Sequence, residues 1–205
     1  MTDSRSEILG RLNSKLETGT NLPAPVQPAF VADCKSPLKL FKEKLEAVQA
    51  SVDILESLRE VGASMTAFLN AQQSPLELGL VPASSDLSLP DMPGLRCYDC
   101  DDFSTSTSIL TQAPLGIAET GTLVLPSSSQ RPTLANFLPD NCIVLIEASN
   151  IVAYQEQALL AVQQSEQGMP RALNLISGPS KTADIEQTLV YGAHGPIQLH
   201  VIVIR

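Results

Sequence analysis

From Cys142 to Ile204 the sequence alternates between short apolar runs of β character and helical segments, and no other feature limits the possible folds so strongly. The pattern predicts a strand over 142–147, a helix from about Ala153 to Glu166, a strand over 172–177, a helix over 182–191 and a strand over 198–204. That order is a β-α-β-α-β unit. Upstream, from Leu76, short runs bounded by Pro, Gly, Ser and Asp predict strands over 77–81, 94–98 and 121–125. The fold class is therefore α/β.

The first third is helical in texture. Ile8, Leu12 and Leu16 are spaced four apart, and Ser4 with Glu7 has capping-box spacing, so a short amphipathic helix covers residues 4–17. Pro23, Pro25, Pro28 and Pro37 then mark a linker. Residues 1–35 are read as a helix and Pro-rich linker, and residues 36–205 as the α/β domain. Ser36 before Pro37 starts a second helix, along which Phe41, Leu45, Val48, Val52, Leu55 and Leu58 recur every three or four residues. Two readings fit: one long helix, or a helix ending near Gln49, a short strand through Val52 and Ile54, and a second helix.

A chain of 205 residues, 43% of them hydrophobic, can bury one substantial core without a metal or disulfide staple. Its formal net charge is −9, and it has no Trp, which argues against nucleic acid and anionic lipid as partners. Charged residues Asp3, Arg5, Glu7 and Arg11 stand where a signal peptide needs an apolar run, so a cytoplasmic location is expected. Cys34, Cys97, Cys100 and Cys142 are too scattered for a disulfide framework. The pair Cys97 and Cys100 has C-x-x-C spacing but lacks further ligands for zinc or iron–sulfur, and Asp99, Asp101 and Asp102 oppose a thiolate. The expected reading is structural, with no metal site.

Two polar loops carry the candidate chemistry. Ser177, Gly178, Ser180, Lys181 and Thr182 lie where a strand is expected to pass into a helix, a place suited to a carboxylate or phosphate. Asp184 and Glu186 oppose this, and a plain capped helix start fits the same residues. The spacing is not that of a Walker loop. In the other loop Glu119, Thr120, Gly121 and Thr122 precede an apolar strand. Glu119 is the candidate base or carboxylate nucleophile, against a solvated turn residue. Arg131 is a second candidate anion clamp, against an exposed loop arginine, and His194 sits in a turn that can present its imidazole, against a solvated turn residue. The first loop precedes its strand and the second follows one, so they share a sheet end only if those strands are antiparallel.

The blocks GIAETGTLVL at 116–125, RPTLANFLPDNCIVLI at 131–146 and SGPSKTADIEQTLVYGAHGPIQLHVIVI at 177–204 resemble the lactate-utilization (LUD) domain, in its short protein C branch. The resemblance covers most of residues 110–204. It implies a three-layer α/β/α fold with an open sheet, mixed if the two loops form one site, similar to the sugar-phosphate isomerase and CoA-transferase group. It also favours the broken helix over residues 37–61. Family members oxidise L-lactate to pyruvate with two partner proteins, and the resemblance places iron–sulfur clusters in those partners and no cofactor in this chain. Lys181 stands where many relatives have Arg. The function expected is a component of that system, binding a small anion or a partner. The alternatives are an independent transferase or isomerase acting through Glu119, and a structural scaffold.

Overall fold

The structure, a computed structural model, describes residues 4–17, 34–85, 89–90, 92–165, 168–183, 189–191 and 195–205. Most of the Pro-rich linker, Asp184, Glu186 and His194 lie outside the described residues. The chain divides into two units, Met1–Asp33 and Cys34–Arg205. In the first, α1 (Ser4–Glu17) carries an exposed Arg11–Glu7 pair at 3.1 Å. The second begins with α2 (Pro37–Ala47), β1 (Ser51–Leu55), α3 (Val61–Ala71), β2 (Glu77–Leu80), α4 (Pro82–Ser85), β3 (Arg96–Asp99) and β4 (Ser108–Gln112). It continues with β5 (Leu115–Ile117), β6 (Thr122–Pro126), β7 (Asn141–Glu147), β8 (Ile151–Val152), α5 (Gln155–Gln164) and β9 (Leu173–Ile176). The last elements are β10 (Lys181–Ala183), β11 (Leu189–Tyr191) and β12 (Gln198–Ile204).

The helix after Pro37 breaks, as the second reading had it, and the break has a local cause. Gln49 adopts φ +70°, and the amides of Gln49 and Ala50 donate to the carbonyls of Glu46 and Leu45. This is a Schellman end, with buried Ala50 and Leu45 supplying its hydrophobic contact. α3 ends in the same way, through Gln73 at φ +54° and the amides of Gln73 and Ser74 on Asn70 and Leu69.

Six strands in the order β1-β12-β7-β4-β2-β3 form a wholly parallel sheet. Such a sheet is covered on both faces, so its central strands carry apolar runs, 142–146 in β7 and 201–204 in β12. Ile143, Leu145 and Ile202 face α3, against Val61, Met65 and Leu69. Val144, Ile146, Val201 and Val203 face the other way, against Phe41 and Leu45 of α2 and Leu123 and Leu125 of β6. Those β6 residues belong to a second sheet, β8-β5-β6-β9, whose far face packs Ile117 and Val124 on Ala158 and Val162 of α5. The α/β/α layering thus holds around the large sheet, and the mixed pairing resides in the small one.

Two expectations about the last third are corrected. β9 does not join the parallel sheet but pairs antiparallel with β6, so the five elements are not one β-α-β-α-β unit. The apolar run of β9 is interrupted by Asn174 and its burial is partial, unlike β7 and β12, which are sealed on both faces. The helix expected over 182–191 is also absent at its described ends. Lys181–Ala183 and Leu189–Tyr191 are antiparallel strands, with Thr182 opposite Val190. β-branched and aromatic residues at both ends favour an extended pair over a helix. The anion argument from a helix start at Thr182 therefore falls.

Candidate functional site

Antiparallel pairing of β6 with β9 sets Leu123 opposite Ile176, and so brings the residues just before one strand beside those just after the other. The Glu119–Thr122 and Ser177–Ser180 loops meet at one end of the small sheet. Thr120 Oγ1 lies 2.6 Å from Thr122 Oγ1, which lies 2.6 Å from Ser177 Oγ. Three hydroxyls joined by two bonds use two protons internally and keep one to donate outward. Thr122 is buried, whereas Thr120 and Ser177 reach solvent.

The last turn of α2 locks both loops. A Cβ on Gly121, whose φ is +64°, would fall 2.7 Å from Lys44 Cβ and 2.9 Å from the Leu45 amide nitrogen. One on Gly178 would fall 2.7 Å from Val48 Cγ2. Ala47, Val48, Ser177, Gly178 and Pro179 line an open cleft of about 450 Å³ beside the hydroxyl chain. The helix end contributes partial negative charge, but its Leu45 and Glu46 carbonyls are already bonded in the Schellman turn. Ser180 is fixed by its amide on the Pro196 carbonyl at 2.9 Å. The backbone of Lys181 and Thr182 follows in β10, and their side chains, like all of His194, lie outside the described residues.

Glu119 is committed to structure. Its Oε1 accepts the amide of Gln155, the first residue of α5, at 2.9 Å, while Gln157 Oε1 accepts those of Ala153 and Tyr154. A carboxylate on these donors complements the helix dipole. Arg131 is not part of this cluster: it follows the opposite end of β6 and lines a different cavity. The Cys97 and Cys100 side chains belong to the cores on opposite faces of the large sheet, Cys100 with its Sγ 3.0 Å from Ser106 Oγ. Burial pushes the Cys97 thiol up, and that of Cys142, inside β7, up to about 12. Among the described residues no group of three or more His, Cys, Asp or Glu is placed to hold a metal ion.

A second polar cluster surrounds His200, which lies in β12. Ser64 Oγ donates to Asp53 Oδ2 at 2.6 Å, so its oxygen accepts from His200 Nε2 at 2.9 Å. Nδ1 is then the bare nitrogen, accepting from Ser51 Oγ at 2.8 Å, and the Phe68 ring stacks on the imidazole at 4.7 Å. The serine proton goes to the aspartate, so this is not an activated nucleophile. Burial lowers the His200 pKa from its ordinary 6.5, against opposing pulls from Asp53 and Ser51. The charged form is disfavoured in the fold, so this contribution to stability is full above pH 6.5 and is lost as pH falls through the lower folded value. In urea titrations from pH 7.5 to 5, the stability advantage of wild type over His200→Gln should shrink with acidification. A widening advantage would mean that the Asp53 attraction outweighs burial.

Sequence comparison settles the family. A family model for the LUD domain matches residues 99–204, more than half of the chain. The chain belongs to the LUD domain family. An uncharacterized protein of Neisseria meningitidis is 45% identical to this LUD chain over 92 residues, which is 45% of the chain and 40% of that protein. A protein of Geobacillus kaustophilus named lactate utilization protein C is 40% identical over 115 residues, 55% of this chain and 48% of that one. One of the same name from Anoxybacillus flavithermus is 39% identical over 95 residues, 46% and 42%. These matches span less than half the length of each relative. A crystal structure of a DUF162 family protein from Deinococcus radiodurans shares the fold at TM-score 0.60 and 20% identity, covering 82% of this chain and 96% of that one. The matched segment holds both loops of the hydroxyl cluster, whereas α2, which seats them, lies before it. Sequence reading had no signal for α2's part beyond the two glycines.

Proposed function

We propose that this LUD chain is a component of an L-lactate utilization system, oxidising L-lactate to pyruvate together with iron–sulfur partner proteins. Its own share is to bind a small anion in the cleft beside Thr120, Thr122 and Ser177. The observation that carries the reading is the Thr122–Ser177 contact, which joins two loops far apart in the chain into one donor group. Similarity to proteins named lactate utilization protein C supplies the metabolic setting. A transferase or isomerase working through Glu119 is less well supported, because that carboxylate already seats α5.

Thermal unfolding with lactate, pyruvate, phosphate and sugar phosphates tests the binding step. A ligand at about 100 times its Kd adds roughly 2.7 kcal/mol. Thr122→Val should abolish the response by breaking the hydroxyl chain, Lys181→Ala should weaken it, and Glu119→Gln should leave it intact or enhance it. The reverse ranking would favour the Glu119 enzyme, and no response at millimolar ligand would favour a scaffold. Anaerobic affinity capture from native cells, followed by iron and sulfide analysis, tests the partnership. Captured complexes free of iron–sulfur protein would sink it.

A further inference from the structure

At the other end of β6 the structure holds a cavity of about 560 Å³, inside the ~300–1,000 Å³ range of small-molecule pockets. Pro114, Leu115, Pro126, Ala161, Val162 and Pro170 make its walls largely apolar. Its polar side is the loop that follows β6. Ser127 and Ala172 are doubly bonded, amide to carbonyl and amide to hydroxyl, both at 2.9 Å. Ser128 and Arg131 exchange backbone bonds at 3.1 and 3.2 Å, and Ser128 Oγ accepts the amides of Gln130 and Arg131. The loop is thus pinned, and it holds Arg131 against the cavity.

Arg131 itself lacks what a half-buried guanidinium needs. Its Nε is buried with no hydrogen-bond partner among the described residues, and burial pulls its pKa down with no carboxylate among those residues to offset it. Two other buried polar atoms share this condition, Ser84 Oγ and Asn174 Nδ2. Both belong to segments flanking the same loop. The amide of Ala83 donates to the Gln130 carbonyl, and Asn174 is paired with Leu125, one residue before Pro126. Buried donors left unsatisfied are costly and uncommon. Of these three residues, Arg131 is the one that lines the cavity.

We propose that this cavity is a second binding site, for a small organic anion with an apolar body whose carboxylate pairs with Arg131. The apolar walls exclude inorganic phosphate as the preferred occupant, and the volume exceeds what lactate would fill. A carboxylate in the cavity pairs with the terminal nitrogens of the guanidinium fork, the geometry in which Arg surpasses Lys. The site does not depend on the hydroxyl cluster, which lies at the opposite end of β6.

Saturation-transfer NMR and thermal unfolding of the full chain with octanoate, octan-1-ol, lactate and inorganic phosphate test the assignment. Octanoate should bind about ten- to hundredfold more tightly than octan-1-ol, the worth of one charge-assisted bond. Arg131→Met should remove that preference while leaving octan-1-ol unchanged, and Arg131→Lys should restore it in part. Ala161→Phe, at an exposed helix position, should block both ligands, and it carries the test if the Arg131 variants do not fold. Thr122→Val should leave octanoate binding intact, which separates this site from the other. Equal affinity of the wild type for octanoate and octan-1-ol, an octanoate preference that persists in Arg131→Met, or no octanoate binding at millimolar concentration would each overturn the proposal.

Discussion

Gly121→Ala is expected to destabilise the domain by about 2–5 kcal/mol, because two separate costs fall on one methyl group. The first is conformational. Gly121 has φ +64°, where a Cβ meets its own backbone at a cost of about 1–2 kcal/mol. The second is packing against α2, whose Lys44 Cβ and Leu45 amide nitrogen would stand 2.7 and 2.9 Å from the new atom. Backbone cannot swing aside as a side-chain tip can, so overpacking adds about 1–3 kcal/mol. Gly94 separates the two costs. Its φ is +86° and a Cβ there meets nothing within 4 Å, so Gly94→Ala should show the conformational cost alone. Urea unfolding of both variants reads the difference. Equal losses would mean that α2 yields freely and does not seat the loop. The anion response should also fall in Gly121→Ala, since Thr120 and Thr122 flank the displaced residue.

The sequence made the two loops legible as polar, glycine-bearing segments, and even stated the condition for their meeting, an antiparallel strand pair. β6 and β9 meet that condition. What alternation of elements concealed was sheet membership. β7 runs over 142–146 and β12 over 201–204 without a polar residue because both faces are covered, while the short β9 is broken by Asn174 and is only partly buried. That polar interruption was the available signal. Residues 182–191 misled for another reason: a ten-residue segment with scattered apolar positions fits a helical period as readily as a hairpin. The role of Glu119 was not legible, because its partner, the Gln155 amide, is 36 residues away. Arg131 was read as a second candidate anion clamp, and it follows the C-terminal end of β6, away from the hydroxyl cluster.

Phe41 holds the remaining large effect, since it fills the space between the two sheets. It is fully buried in the core shared by β7, β12 and β6, and a Cβ on Gly116 of β5 would lie 3.1 Å from its Cε2. Phe41→Ala should cost about 3–5 kcal/mol, as lost transfer energy and a cavity between sheets. On a domain of this size each kcal/mol lowers Tm by roughly 2–4 °C, so the shift is easily measured. Gly116→Ala alone should also destabilise, because its methyl would press on the phenyl ring and on Ile146 Cδ1, 2.9 Å away. In the double variant the vacated ring volume receives that methyl and lets the Ile146 tip move. The double loss should therefore be smaller than the sum of the single losses, by about 0.5–3 kcal/mol. Strict additivity would show that Phe41 and Gly116 do not share a contact and that α2 reaches the small sheet through Gly121 and Gly178 alone.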